Sequence, residues 1–323
     1  MLQSARLTLK HHRFEVVSAV VAAILVGAAA LWVGARLAEL DIPGRCYPIW
    51  LGSVAEMTPE CSASIRAFQE VYSAPAGLVL VAMGVLPLTV GLIAGVSVVG
   101  RELETRTAQT AWALAASRRR WFARQLWPIL VVLGLAMAFA ATAASLLVAS
   151  RTAYYFGVLD DIGLHGPLAL ARAVMALGLG LVTGAALGRT LPALIVGAVL
   201  SFVLLFAAGT ARDAWVQAQQ PVELEYAFVG NPMFDGRWVE QAWRAPDGRL
   251  VGEAEAEAMA LVPPEGQADP WAWLAENDYD AVALGIPAET LGYWEPMEVG
   301  ATIVAALALV LGTVLIVDRR RPT

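Results

Sequence analysis

The chain has 323 residues, of which 58% are hydrophobic and only 15% charged, with a formal net charge of −6 at pH 7. A soluble globular protein carries about 25% charged residues, and together with a mean hydropathy of +0.62 this excludes a pair of ordinary soluble domains. The deficit is concentrated in long apolar runs, so the composition points to a polytopic membrane protein.

Residues 1–13, "MLQSARLTLKHHR", read as a basic amphipathic lead-in lying on a membrane surface. Six runs then reach the roughly 20 apolar residues that a bilayer crossing needs: 16–35, 76–99, 126–148, 168–187, 191–211 and 299–317. Only Arg172, in the fourth, breaks their neutrality. The first run is too long for a signal peptide and has no persuasive cleavage site after it. Residues 36–75 read as an outer loop rich in Pro and Gly, and 151–166 as a short outer connection. Gly188–Arg189–Thr190 is so short that spans four and five must form an antiparallel hairpin. Residues 212–295 form an insertion with six of the eleven Trp and an excess of acid. Within it, "GRWVEQAWRAPDGRLV" predicts a hairpin about a Pro-Asp-Gly turn. "GEAEAEAMALV" and "DPWAWLAEND" predict short helices, the second capped by Asp269 before Pro270. The expected architecture is therefore all-α and six-span, with a small mixed α/β lobe outside the membrane between spans five and six. Its parts are the lead-in (1–13), spans one to five (14–211), the lobe (212–295), and span six with a basic tail (296–323).

Basic residues set the orientation. More than half of the 22 fall on one side of the six-span scheme: Arg6, Lys10 and Arg13, the loop after span two, Arg189, and Arg319, Arg320 and Arg321. Both termini are expected on the cytoplasmic side. The loop basics Arg118, Arg119, Arg120 and Arg124, interleaved with Trp121 and Trp127, read as a topology signal and interfacial belt at lipid head groups rather than a nucleic-acid patch. Cys46 and Cys61, the only cysteines, land in the first outer loop. In an oxidising compartment they pair as a disulfide, which in the chain-entropy model stabilises so short a loop by about 3 kcal/mol. Two unpaired thiols are the alternative.

Several chemistries are absent. No G-x-x-x-x-G-K-[ST] phosphate loop occurs, and Lys10, the only lysine, follows "ARLTL". His11, His12 and His165 lack H-E-x-x-H spacing, and there is no G-x-S-x-G. A self-contained nucleotide hydrolase, a zinc protease and a serine hydrolase are all unsupported, and no catalytic, metal or cofactor residues are expected.

A few positions stand out from the apolar background. Pro75, Pro128, Pro167, Pro192 and Pro296 fall at or near span starts, where a missing N–H costs nothing. Pro87 lies mid-span, as a tolerated kink or as a hinge. Arg172 either snorkels to the outer surface or lines a pathway opposite an acid such as Glu298. Gly180, Gly184 and Gly188 on span four, and Gly91 and Gly95 on span two, make small-residue stripes suited to close helix packing. The loop "RELETRTAQTAWALAAS" reads as one helix. Glu102 and Glu104 sit in its first turn, where the dipole favours them, Glu102 and Arg106 form an i,i+4 pair, and Trp112 is an anchor on the other side. It is either a solvated interfacial helix or a docking element for a partner.

"GRELETRTAQTAWALAASRRRWFARQ" resembles the loop between spans two and three of type-2 ABC exporter permeases, where a Glu-x-x-x-x-Thr core precedes Ser-Arg-x-Arg-Trp. "GYWEPMEVGATIVAALALVLGTVLIVDRRR" is similar to the end of actinobacterial-style members of that family. The chain departs from the family pattern at Arg106–Thr107, where Gly-Thr is common, and at Arg124–Gln125. The resemblance implies that residues 101–115 are a coupling helix fitting a cleft on a separate ATPase subunit, with Glu102, Glu104, Arg106, Thr107 and Trp112 at or near the contact. It further implies two ATPase copies holding ATP and Mg, a second permease copy, and a bacterial cytoplasmic membrane as the location. The cargo expected from the apolar span faces is amphipathic or lipid-like. The competing expectation is a membrane-anchored sensor or scaffold whose outer lobe binds a ligand.

Overall fold

The computed structural model describes residues 2–40, 59–114, 117–150, 163–224, 236–252 and 277–319, together with 255, 258 and 274. Six helical stretches in it are long and apolar enough to cross a membrane: Arg13–Ala38, Pro59–Glu104, Arg118–Ala149, Gly166–Leu187, Thr190–Gln217 and Glu289–Arg319. Each contains one of the six apolar runs, and five of the six run well past its ends. Helix propagation explains the overshoot: once a turn exists, each further residue adds a hydrogen bond, so polar flanks continue the helix until something stops it.

The lead-in is helix α1 (Leu2–His11), and His12 alone separates it from span one, α2 (Arg13–Ala38). Span two is a single rod: α3 (Pro59–Val71), a π-turn at Tyr72–Ala76, α4 (Gly77–Val96), a second π-turn at Ser97–Arg101, and the short α5 (Glu102–Glu104). At 1.5 Å per residue this rod is roughly 69 Å long, about twice the hydrocarbon thickness. After α6 (Thr107–Leu114) come span three, α7 (Arg118–Ala149), span four, α8 (Gly166–Leu187), and span five, α9 (Thr190–Gln217). Strands β1 (Val222–Leu224), β2 (Gly236–Arg244), β3 (Leu250–Gly252) and β4 (Asp280–Pro287) precede α10 (Ala288–Leu291) and span six, α11 (Trp294–Arg319).

Helix α3 corrects the reading of 36–75 as loop. Its Cys61, Ile65 and Phe68 recur at i, i+4 and i+7 and are buried against Ala30, Val33 and Leu37 of α2. Cys46 lies outside the described residues, and with it the expected pairing. Two prolines are also placed differently. Pro75 sits inside the rod, where the widened π-turn accommodates a residue without an N–H. Pro128 is interior because α7 starts at Arg118, after Ser117, whose hydroxyl accepts from the Arg120 N–H at 3.2 Å. Pro167 is at the first turn of α8 as expected, and α4 stays helical through Pro87.

Span four is the most enclosed span, with α4 on one face and α11 on another. The two glycine stripes meet each other. A side chain at Gly91 or Gly95 would collide with the carbonyls of Ala173 or Leu177, one at Gly180 would sit 2.5 Å from the Leu92 carbonyl oxygen, and Gly184 faces Gly100. Backbone thus touches backbone along several turns. Gly178 gives α11 the same access, beside Ala306 and Leu309. Gly27 and Gly34 do so for α2 against Phe139 and Leu147 of α7. Val90, Ala94, Met137, Ala140, Ala173 and Leu177 fill the core between these pairs. Spans five and six leave long apolar rows exposed, among them Ile195, Phe202 and Phe206, and Val304, Leu307 and Leu311.

The four strands form one antiparallel sheet in the order β1-β4-β2-β3. The predicted hairpin is β2–β3: Gly248, at φ +83°, donates to the Ala245 carbonyl at 2.8 Å, and Ala245 donates to Arg249 at 2.9 Å. Strand β4 was not expected. Its Ile286, with Leu291 of α10, packs on Trp215 and Val216, so the sheet is seated on the end of span five. Trp215 therefore belongs to α9 rather than to the insertion. The two helices expected at 252–262 and 269–278 lie largely outside the described residues.

Replacing Gly95 by Ala is expected to destabilise the protein by about 1–3 kcal/mol through overpacking of α4 against α8. Gly209, with open space around it, should tolerate Ala or gain up to about 1 kcal/mol. Thermal unfolding of the two variants in detergent gives the comparison, and equal midpoints would contradict the packing.

Candidate functional site

Helix α1 and the last turn of α11 lie at one end of the bundle, and the segment after span two gathers the helix ends there. The helix predicted over 101–115 is broken. The rod runs through Glu104, Thr105 and Arg106 turn, and α6 starts afresh at Thr107. Arg106 holds φ +61°, the left-handed region that favours glycine. That conformation accounts physically for the Gly-Thr pair common at this point of the resembled loop. The i,i+4 pairing of Glu102 with Arg106 is lost with the helix.

Glu102 and Glu104 consequently sit at the last turn of span two, Glu102 buried and Glu104 exposed but bonded to a neighbouring span. Glu102 is buried, accepts from His11 Nε2 at 2.8 Å and binds the Thr107 hydroxyl through its other oxygen. Glu104 accepts from the backbone N–H of Thr190 at 3.0 Å and from its hydroxyl, so a carboxylate caps the start of α9. Arg101 pairs with Glu15 in the first turn of α2 at 2.5 Å. Trp112 is half-buried, edge-on to Trp121 at 5.8 Å, with the Arg118 guanidinium 4.9 Å over its ring. Arg118 donates to the Asp318 carbonyl at 3.1 Å, and Arg119 pairs with the Asp318 carboxylate at 2.7 Å. Those two arginines finish the C-terminus of span six, whose unpaired carbonyls and dipole favour cations. Arg120 and Arg124 are exposed.

The stretch 101–119 thus bonds directly to α1, to spans one, five and six, and to its own spans two and three. Glu102, expected at the contact with a partner, is buried; Glu104 is exposed but bonded to Thr190 of the same chain, and Trp112 is half-buried. Glu15 and Asp318 were not singled out, and His11 and His12 were weighed only as zinc-protease ligands. Glu15 and Asp318, single acids at the rims of apolar runs, were the available signal. His12 is fully buried at the α1–α2 joint, and neither ring nitrogen has a hydrogen-bond partner. Burial first, and then the neighbouring His11, hold its pKa below the ordinary imidazole value.

At the other end Arg172 meets Glu298. Their closest atoms are 2.6 Å apart, the side chains are 15% and 7% exposed, and Trp294 Nε1 donates to the second carboxylate oxygen at 2.8 Å. Arg172 lies against Gly163, whose φ is +85° and where no side chain would fit. The arginine is held inside rather than extended to the surface. At both ends the polar side chains join one span to another, Arg172 to Glu298 here and Glu104 to Thr190 at the opposite end.

A family model described as ABC-2 membrane transporter related matches residues 15–212. The chain belongs to that family. The match spans the first five membrane helices and includes the whole loop after span two. No curated protein and no solved structure matched. As an ABC-2 membrane transporter relative with six apolar helices, the protein is a multi-pass membrane transporter permease, of a family whose members associate with an ATPase subunit. The late resemblance at 292–321 falls outside the matched residues.

Breaking the Arg172–Glu298 pair singly, with Arg172→Met or Glu298→Gln, is expected to cost about 3–5 kcal/mol by stranding a charge. The double replacement should recover a large part of that loss. A double-mutant cycle on detergent-solubilised protein reads the coupling, and single variants within about 0.5 kcal/mol of the wild type would show that the pair is not structural.

Proposed function

We propose that the protein is the permease subunit of an ATP-driven exporter, and that residues 105–120 are the surface on which a separate ATPase acts. The single observation carrying this reading is that one short segment is bonded to the ends of several spans at once. A push on Arg106 or Thr110, both exposed, is transmitted by Glu102 to α1, by Glu104 to span five, by Arg101 to span one and by Arg118 and Arg119 to span six. Rigid-body rocking of packed helices is the kind of motion such links support. Glu102, Glu104 and Trp112 then tie the coupling element to the bundle, and Arg106, Thr107 and their exposed neighbours meet the partner.

ATP and Mg belong to the partner, and this chain hydrolyses nothing. Two ATPase copies work beneath two permease copies, which pair through the apolar faces of their spans in a bacterial cytoplasmic membrane with both termini inside. Pro87 is the point at which span two flexes. The exposed rows of spans five and six suit an amphipathic or lipid-like cargo moved outward. Outside, a Cys46–Cys61 disulfide ties the 41–58 segment to α3, and peptide mapping without reductant should recover the linked pair. Two free thiols in that experiment would remove this part of the proposal.

Co-expression with the cognate soluble ATPase tests the main reading. The chain alone should show no ATP turnover and the pair should purify as a stable complex. Arg106→Glu combined with Thr110→Glu should weaken that complex about tenfold or more, the loss of one hot-spot contact, while membrane insertion is unchanged. Undiminished assembly and coupled turnover in this variant would argue against the docking surface, and a wild-type chain that binds no ATPase would favour the sensor or scaffold.

A further inference from the structure

The joint between the lead-in helix and span one holds a cluster that the transport reading does not use. His11 closes α1, His12 follows in the joint, and Glu102 arrives from the last turn of span two. One donor atom from each lies within 4.8 Å of the other two. Tetrahedral zinc, with bonds of about 2.0–2.1 Å, sets its donors roughly 3.4 Å apart, so the cluster is within a side-chain rotation of that geometry.

His12 makes the case more than proximity does. A buried imidazole nearly always places its N–H and its lone pair on partners, and leaving such a group unpaired costs about 1–3 kcal/mol. Here the side chain is fully buried and both nitrogens are unpartnered. Glu15 Oε2, close by in the first turn of α2, is also buried without a partner. The Glu102 carboxylate is oriented by the Thr107 hydroxyl on the side away from His11, the kind of outer support that metal-ligating groups have. A cleft of about 620 Å³ lined by Lys10, His11, Arg13, Phe14, Glu15 and Arg101 opens beside His11 and provides an entry path. Within that basic lining, Glu15 offsets Arg101.

We propose that His11, His12 and Glu102 form a binding site for a divalent transition-metal ion of the zinc class. Two imidazoles and one carboxylate suit Zn²⁺ and its late first-row neighbours and disfavour Mg²⁺ and Ca²⁺, which take oxygen ligands. His11 Nε2 exchanges its bond to Glu102 for the metal, His12 supplies the second nitrogen, and solvent from the cleft completes the shell. The ion clasps α1 and the α1–α2 joint to the end of span two, directly behind the left-handed turn at Arg106. Its occupancy therefore sets how firmly the lead-in helix is held to that loop.

The test uses the full chain purified in detergent without a polyhistidine tag, stripped of metal and titrated with Zn²⁺ against a chromogenic chelator. One ion per chain is expected. His11→Ala, which removes a half-exposed ring, should weaken binding about tenfold or more, at least the loss that removing an outer-shell partner brings. Glu102→Gln should do likewise. His165→Ala, at the opposite end of the bundle, should bind as the wild type does, and Co²⁺ in place of Zn²⁺ should give visible absorption that His11→Ala abolishes. No binding by the wild type, equal binding by His11→Ala, or loss of binding in His165→Ala would each overturn the site. None of these readouts involves the ATPase, so the outcome is independent of the transport reading.

Discussion

Everything else in the bundle is positioned by the contact of α4 with α8. Where Gly91, Gly95 and Gly180 remove side chains, the two backbones approach until carbonyls touch the facing helix. In lipid this matters more than in water, because apolar surface gains little by leaving hydrocarbon and helices associate through close packing instead. A contact made of backbone also has one register. Sliding α8 by a residue would drive Ala173 or Leu177 into the space that only glycine leaves open. Fixing α8 fixes both of its ends: Arg172 beneath Glu298, and the Gly188 turn that delivers Thr190 to Glu104.

The two ends use charge in different ways. Arg172 and Glu298 are largely withdrawn from solvent, and Trp294 satisfies the remaining carboxylate oxygen. Such a pair adds little net stability over an apolar substitute but makes any separation of span four from span six expensive. The opposite end has more polar links and is more exposed. Arg101, Arg119 and Glu104 are exposed enough for each link to be weak on its own. Their strength is collective, since one segment closes all of them together.

The spans themselves were legible because hydrocarbon imposes a length and an absence of charge that few sequences meet by accident. Their ends were not, because the halt of a helix depends on partners far along the chain. The rod of span two passes Val99 since Glu102 and Glu104 find His11, Thr107 and Thr190, which no local window contains. Helix α3 was readable in its Cys61, Ile65, Phe68 spacing but was obscured by the proline and glycine around it. The glycine stripes were correctly read as packing faces, and the structure supplies what they pack on. For Glu102, charge was taken as a sign of exposure, and a carboxylate with two hydrogen-bond donors has no need of water. Arg106 is the reverse case: its left-handed backbone is invisible in an arginine and would have been plain in a glycine.

In the proposed coupling role a segment must be stiff inward and accessible outward, and the loop after span two separates those demands by residue. Its first half is spent on bonds to the bundle, the turn at Arg106 redirects the chain, and α6 is pinned back by Trp112 between Trp121 and Arg118. Each internal hydrogen bond contributes about 0.5–1.5 kcal/mol net, so those linking 101–119 to the neighbouring helices sum to a few kcal/mol. Coupling free energies between distant sites are typically about 1–3 kcal/mol. The links are therefore strong enough to carry a signal of that size without breaking, and weak enough that the helix ends can rearrange when it arrives. Because α1 meets the same set through His11 and Glu102, that contact is where a bound ion would bear on the lead-in helix.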